Sequence, residues 1–154
     1  MGIIDEIKIF YDLGENEKET VNRLLQVRDF KPGEVIYGEG ESGESALDII
    51  VKGKVKINRV TIEGEQLQMA TLRAGEKFGI MSFLDGSRHN ASVVAEEETR
   101  LLILKKSDFD NLIQTNPVIG VKILRNIAVG LAKLVKDLNA QHMDLMHMMF
   151  RKSK

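Results

Sequence analysis

The sequence of 154 residues predicts a mainly β domain, an antiparallel barrel or roll with helices at both ends. Two observations support this fold class. Between residues 30 and 106, glycines recur at intervals that suit turns, and short β-rich runs lie between them. Outside that region, apolar residues keep helical spacing. The chain is long enough for one domain with its own core and too short for two domains of usual size.

Residues 1–29 are predicted to form two short helices. Their apolar residues follow helical spacing on either side of a polar break at 14–16, with Ile3, Ile4, Ile7, Phe10 and Leu13 before it and Val21, Leu24 and Leu25 after it.

Residues 30–106 are predicted to form the strands. Lys54–Ile57 and Gln66–Met69 alternate polar and apolar side chains, as a half-buried antiparallel strand requires. Leu47–Val51 and Leu101–Leu104 are more uniformly apolar, so we expect them to be central strands.

Residues 107–154 are predicted to be helical, with Ser107 as a candidate helix cap and Asn116–Pro117 as a second start signal. The second helix carries heptads with apolar residues at both seam positions apart from Gln141. This pattern predicts a homodimer in which a parallel pair of helices meets through Leu124, Ile127, Leu131, Leu134, Leu138 and Leu145.

A second interpretation of this helix stays open. Ile123, Ala128 and Val135 widen the apolar stripe, so the early turns could instead pack on the roll of their own chain, as surface helices of globular proteins do. Both interpretations can hold, with the early turns on the roll and the later turns on a partner.

Composition narrows the function classes. The net charge of −1 and the scattered Lys and Arg residues do not indicate a nucleic-acid surface. The chain has no cysteine, which excludes disulfides and thiolate metal sites. No run approaches the ~20 apolar residues of a membrane span, and the N-terminus lacks the features of a secretory signal. We therefore expect a cytoplasmic protein.

Residues 78–95, FGIMSFLDGSRHNASVVA, carry the most informative motif. A Phe78–Gly79 pair is followed by Ser82 and two apolar residues, then by a polar turn that leads to the small residue Ala91. This order resembles the phosphate-binding cassette of the cyclic-nucleotide-binding domain, the sensor domain of the catabolite activator and FNR-type regulators. The glycine pattern before the motif is similar to that family in order and spacing.

The resemblance implies an eight-stranded antiparallel β-roll, or jelly roll, with a long C-terminal dimerisation helix and a phosphate-binding cassette at residues 78–93. It also implies a homodimeric sensor in which cyclic AMP or cyclic GMP moves the C-terminal helix, whose turns near 129–136 close over the base. In the family, an arginine and the backbone N–H groups of a short helix hold the phosphate, and a glutamate accepts a hydrogen bond from the ribose. The expected ligand site comprises Phe78, Gly79, Ile80, Met81, Ser82, Arg88, His89, Ala91 and Ser92.

Two positions of the cassette depart from the family. Ile80 stands at the glutamate position and His89 at the arginine position, with Arg88 where proline is usual. Losing a charge-assisted hydrogen bond costs about 1.5–3 kcal/mol, so two losses weaken binding by about two to four decades. Binding of cyclic AMP or cyclic GMP is therefore expected to be weak or absent, and another small anion is an alternative ligand.

Opposed interpretations of these residues remain open. Arg88 could reach the phosphate position, or His89 could carry a proton there, because a nearby anion raises the pKa of a histidine. Alternatively, Ile80 fills the floor of the pocket, and His89 and Arg88 are solvated turn residues. The corresponding alternative function is a degenerate, ligand-free domain that serves dimerisation or docking to an unknown protein partner.

Other function classes find less support. DNA-binding regulators of this type continue into a helix-turn-helix domain, which is absent here, so we expect a stand-alone module without direct DNA binding, unless the sequence is part of a longer regulator. The histidines at positions 89, 142 and 147 do not form the constellation of a metal centre, and methionines beside His142 and His147 are more often packing residues than copper or haem ligands. No motif of a nucleophile or a nucleotide-hydrolysing loop occurs. We expect no metal site and no enzymatic activity.

Overall fold

The structure, a computed structural model, describes residues 3–41 and 43–152. Within these ranges two 3-10 turns and one short helix precede a region of eight strands, and two helices follow it. The strands are β1 (Gln26–Phe30), β2 (Val35–Tyr37), β3 (Ala46–Lys52), β4 (Lys54–Val60), β5 (Gln66–Arg73), β6 (Lys77–Phe78), β7 (Ser92–Ala95) and β8 (Thr99–Lys105). The helices are α1 (Glu15–Asn22), α2 (Ile80–Asp85), α3 (Lys106–Thr115) and α4 (Pro117–Lys152).

The strands form two four-stranded antiparallel sheets. The first has the order β1-β8-β3-β6 and the second the order β2-β7-β4-β5. Strands from distant parts of the chain therefore lie side by side, as the pairing of Leu47 with Leu104 and of Val55 with Ala95 shows. This arrangement confirms the predicted eight-stranded roll and the long C-terminal helix.

The central strands of the first sheet, β3 and β8, are buried on both faces, which explains why they are almost uniformly apolar. Alternate residues of β3 and β8, such as Ile50 and Leu101, pack between the two sheets. The residues between them, such as Leu47 and Leu104, pack against the helices. The second sheet has one covered face, so Val55 is buried while the lysines on either side of it are partly exposed.

The N-terminal region differs in detail from the two predicted helices. Ile3–Glu6 and Lys8–Phe10 are 3-10 turns, and only Glu15–Asn22 is an α-helix. Strand β1 begins at Gln26, before the predicted start of the roll at residue 30. Extended backbone is favoured there because β1 pairs with β8 along its whole length, and Arg100 forms an ion pair with Asp29 across that pairing.

The first half of α4 packs on its own chain. Ile119, Ile123 and Ile127 belong to the helical side of the core, where Ile127 is only 2% exposed. The Asn126 amide donates hydrogen bonds to Ile9 O and Asp12 Oδ1, both at 2.8 Å, and these bonds fix the helix to the N-terminal segment. Helix α3 begins at Lys106, so Ser107 lies in its first turn and is not its cap.

The predicted dimer seam therefore divides into two parts. Ile127 is buried within its own chain, and Leu124 and Leu131 are partly buried against the same core, so these three residues serve intramolecular packing. These three residues pack within their own chain and not on a partner, because the apolar stripe of α4 is wide enough to cover the roll. The later seam residues are exposed: Leu134 by 52%, Leu138 by 53% and Leu145 by 59%.

Among the described residues, no helix combines the length and apolarity that a membrane span requires.

The turn between β3 and β4 depends on a glycine. Gly53 has φ +98°, and a Cβ atom there would lie 2.5 Å from Glu98 O and 2.7 Å from Thr99 Cα. Gly33→Ala is a matched control, because Gly33 has φ +87° and no neighbouring atom within 4 Å of the added carbon. We expect Gly33→Ala to lower the free energy of unfolding by about 1 kcal/mol and Gly53→Ala by about 3 kcal/mol, since the second adds a backbone clash. Urea unfolding followed by circular dichroism measures both, and equal losses would contradict the clash.

Candidate ligand-binding site

The site begins at the passage from β6 into α2, where the backbone crosses close to β3. Gly79 adopts φ +81°, and a Cβ atom at this position would lie 2.6 Å from Ala46 O and 3.2 Å from Asp48 Oδ2. A larger residue does not fit in this conformation, so the requirement for glycine is steric on two counts. Helix α2 then runs for six residues and ends at Gly86, which is also left-handed.

A cavity of about 510 Å³ lies beside this segment. Its walls come from the second sheet, from α2 and the loop after it, and from α4, which contributes Leu131 and Leu134. This size is typical of small-molecule sites in proteins. The two leucines fall within the range 129–136 that the family resemblance assigns to a helical lid.

Most of the predicted site residues line this cavity, namely Phe78, Gly79, Ile80, Met81, Ser82, Arg88, His89 and Ala91. Ser92 does not line it. The Ser92 hydroxyl donates a hydrogen bond to Asn58 O at 3.3 Å on the neighbouring strand, and the next residue, Val93, faces the cavity instead. The alternation of side chains along β7 therefore turns Ser92 away from the cavity wall.

His89 has surroundings that neither sequence interpretation anticipated. It is 8% exposed, so it is not a solvated turn residue, and its ring stacks on Tyr37 with centroids 3.9 Å apart. Burial lowers the pKa of His89, and the charge of Glu41 offsets this only in part. The neutral ring is therefore favoured near pH 7. Its Nε2 atom has no hydrogen-bond partner within the described part of the chain.

Beneath the stacked rings lies a buried carboxyl group. Asp48 is fully buried on β3, and the Tyr37 hydroxyl donates a hydrogen bond to its Oδ2 atom at 2.5 Å. Burial raises the pKa of Asp48 to about 7, although the hydrogen bond from Tyr37 and the charge of Arg28 lower it. Burial also raises the pKa of Tyr37. Sequence reasoning missed Asp48, and the available signal was one acidic residue inside the apolar run 47–51.

Two cations stand at the cavity. Lys77 is half-buried and Arg88 is exposed, and neither forms an ion pair with a residue in the described ranges. Burial lowers the pKa of Lys77, with a smaller contribution in the same direction from Lys8. The sequence did not indicate Lys77 as a site residue. It lies one residue before the motif, in a strand where a polar residue is expected at alternate positions.

Ile80, at the first position of α2, lines the cavity and also packs on the helical side of the core. Its place in the cavity wall is compatible with the interpretation in which Ile80 forms the floor of the pocket, and the cavity beside it is open. Ile80 supplies no acceptor for a ligand hydroxyl. The site thus combines apolar walls, two cations without protein counter-charges and one buried, neutral histidine.

These features define a class of protein, a β-roll domain with a ligand-sized cavity between a glycine-led loop and a C-terminal helix. A family model described as Cyclic nucleotide-binding domain matches residues 27–116, more than half of the sequence. The chain belongs to this family.

Relatives support the assignment. The Cyclic AMP receptor protein of Thermus thermophilus is 33% identical over 129 residues, which are 84% of this chain and 57% of that protein. The crystal structure of the Thermus thermophilus Catabolite Activator Protein is similar with a TM-score of 0.75 and 32% identity, over 90% of this chain and 62% of that one. The regulatory subunit of a cAMP-independent protein kinase A from Trypanosoma cruzi, bound to guanosine, is similar with a TM-score of 0.64 and 30% identity, over 77% and 41% of the respective chains. This chain spans less than two thirds of each of these relatives.

Asp48 should make the stability of the fold depend on pH. Its pKa is about 7 in the folded state and 3.8 ordinarily, so the folded state binds more protons between these values, and stability falls as the pH rises from about 4 to 7. We expect Asp48→Asn to lack this loss. Relative to the variant, the natural protein should lose roughly 3–4 kcal/mol of unfolding free energy across that range.

Urea unfolding at roughly pH 4.5, 6 and 7.5 measures this difference. Asp29→Asn is the matched control, because Asp29 is an exposed carboxylate whose pKa the hydrogen bond from Arg100 lowers. The stabilising contribution of the Asp29 carboxylate is lost only below the ordinary pKa of an aspartate. The difference in unfolding free energy between Asp29→Asn and the natural protein should therefore stay constant over the same pH interval. Parallel profiles for Asp48→Asn and the natural protein would show that the Asp48 carboxyl does not titrate there.

Proposed function

We propose that this protein is a homodimeric regulatory module in which a ligand in the cavity sets the position of α4. The observation that carries the proposal is that one helix both lines the cavity and presents an exposed apolar stripe. Leu131 and Leu134 lie on the cavity wall, and the exposed seam continues from Leu134 through Leu138 to Leu145. A change at the cavity therefore reaches the proposed dimer surface within the same rigid element.

The anchoring of α4 supports a movement of its later half. Asn126 is bonded to Ile9 and Asp12, and Lys122 forms a 2.7 Å ion pair with Glu17, so the early turns are held on the N-terminal segment. Gly130 follows at the start of the cavity-lining part, and no neighbouring atom lies within 4 Å of where its Cβ would be. Glycine is a weak helix former, so a bend of the helix costs least near this residue.

The exposed stripe supports a second copy as the partner. Apolar seam residues recur seven apart over the later turns of α4, and a bare surface of this kind favours association. A parallel pair of α4 helices would cover it. The seam residues Leu124, Ile127 and Leu131 are not part of this proposed contact, because they pack on their own chain.

A cyclic nucleotide is the ligand class that the family suggests, and we expect cyclic AMP or cyclic GMP to bind weakly or not at all. Ile80 provides no acceptor for the ribose, and His89 is neutral and stacked on Tyr37. Arg88 and Lys77 can still attract an anion. The Trypanosoma cruzi relative, described as cAMP-independent and bound to guanosine, supports a departure from cyclic AMP in this fold.

A second candidate function is a ligand-free domain that serves dimerisation or docking to another protein. The exposed stripe of α4 favours it, because association through that surface needs no ligand. The two functions differ in a measurable way, since only the first requires the cavity to be occupied for a change in α4.

Calorimetric titration with cyclic AMP and cyclic GMP up to about millimolar concentration tests the ligand. We expect dissociation constants about two to four decades weaker for the natural protein than for an Ile80→Glu/His89→Arg double variant, because the variant regains a ribose acceptor and a phosphate fork. An Arg88→Ala variant shows whether Arg88 carries any residual binding. Equal affinity in the natural protein and the double variant would mean that these two positions do not limit nucleotide binding.

Sedimentation velocity tests the dimer. Leu138→Glu places a charge on the exposed seam and should yield monomers, because an unpaired charge within an apolar contact is costly. Ala140→Glu is the matched control, since it adds the same charge to an exposed turn of α4 away from the seam and should leave the dimer intact. A Leu138→Glu protein that sediments as a dimer would place the contact elsewhere.

A further inference from the structure

The residues that line the cavity restrict the class of ligand more than the fold alone does. Apolar side chains from three strands face the space, including Ile57, Leu72 and Val93, and Leu131 and Leu134 complete it from α4. No aspartate or glutamate among the described residues lines this cavity. A ligand that fits such walls has a largely apolar body, because burying apolar surface is then its main source of affinity.

Two polar side chains of the walls are engaged within the protein. The Ser82 hydroxyl donates to Ser45 Oγ at 2.8 Å, and the Tyr37 hydroxyl donates to Asp48. A sugar buried here would bring several hydroxyl groups, whereas the other side-chain oxygens of the lining, those of Ser87 and Asn90, belong to exposed residues of the loop after α2. Each hydroxyl left unpaired weakens binding by roughly tenfold, so a hydroxyl-rich ligand is disfavoured.

The cations indicate the charge of the ligand. Lys77 lies half-buried at the cavity without an ion pair in the described ranges, and Arg88, on the loop after α2, lines the same cavity. Lys77 also borders a second cavity that Glu6 and Glu76 line, but neither carboxylate forms an ion pair with it. Burial disfavours the charged form of Lys77, and an anion in the cavity would restore it.

His89 adds a buried polar atom to the cavity wall. Its ring lines the cavity and is more than nine-tenths buried, and its Nε2 atom has no protein partner among the described residues. A ligand oxygen would satisfy this nitrogen after a small shift of the ring, since the neutral histidine can carry its proton on either nitrogen. An anionic oxygen is the stronger acceptor for such a donor.

We infer that the cavity binds an organic acid with a largely apolar body, aliphatic or aromatic, whose carboxylate pairs with Lys77 or with Arg88. The inference rests on the proposed function, because it names the ligand that would set the position of α4. It differs from the nucleotide expectation in needing no ribose acceptor and no planar phosphate fork. The apolar body would contact Leu131 and Leu134 directly and so couple occupancy to the helix.

Nitrogen-edited NMR and calorimetry with matched pairs of compounds test the inference. Decanoate is compared with decanol and naphthoate with naphthylmethanol, so that each pair differs in the carboxylate and the two pairs differ in the body. We expect at least one acid to bind about tenfold or more tightly than its alcohol, with shifts at residues 77–91 and 131–134. Equal binding of acid and alcohol, no binding of either acid at millimolar concentration, or shifts confined to the later turns of α4 would overturn the inference.

Charge-removal variants locate the carboxylate. Lys77→Gln should weaken binding of the acid about tenfold and Arg88→Gln about two- to fivefold, because Arg88 is more exposed, while binding of the alcohol stays unchanged. Lys133→Gln removes a charge from an exposed position of α4 that does not line the cavity and should change neither. Circular dichroism checks that each variant is folded, and unchanged acid affinity in both Lys77→Gln and Arg88→Gln would overturn the assignment of the carboxylate.

The two proposals fail in different ways. Cyclic AMP titrated under the same conditions, with sedimentation as the second readout, separates them. If cyclic AMP binds and the acids do not, the ligand class is wrong while the sensor function stands. If an acid binds at the cavity but leaves the α4 signals and the oligomeric state unchanged, the ligand class is supported and the coupling to α4 fails.

Discussion

The close approach of Gly79 to β3 is the contact on which the candidate site depends. With its Cβ position 2.6 Å from Ala46 O, this residue lets the chain leave β6 and begin α2 directly against the first sheet. The loop after α2 then returns to β7 and brings His89 over Tyr37, and the space under this segment is the cavity. A side chain at residue 79 would lift α2 away from the sheet and displace both walls together.

The two faces of the first sheet pack against different parts of the molecule. One face of β3 packs between the sheets and holds Asp48 and Ile50, while the other face receives Phe83 and the first half of α4. Most side chains of the sheet that contact α4 are therefore different from those that face the cavity, although Lys77 borders both. His89 can vary without a change in the packing that positions α4, whereas Ile80 takes part in that packing.

Much of the fold was readable from the sequence because its signals are local. Glycine turns, the alternation in β4 and the proline start of α4 each depend on a few neighbouring residues. The motif at 78–93 likewise contains many of the residues that line the cavity. What could not be read depends on contacts between distant segments: the burial of His89 by Tyr37, the environment of Asp48, and the covering of Ile127 by the chain's own core. A one-dimensional heptad pattern does not distinguish an intramolecular contact from an intermolecular one.

Gly130 gives the long helix the geometry of a lever. The 36 residues of α4 extend about 54 Å, and the part beyond Gly130 accounts for about 33 Å of that length. A rotation of about 5° at this residue would displace the far end by about 3 Å, which is more than half of a helical turn's rise. Under the proposed function, a ligand that shifts Leu131 and Leu134 slightly would thus move the far end of α4, about three nanometres away, by enough for another molecule to distinguish.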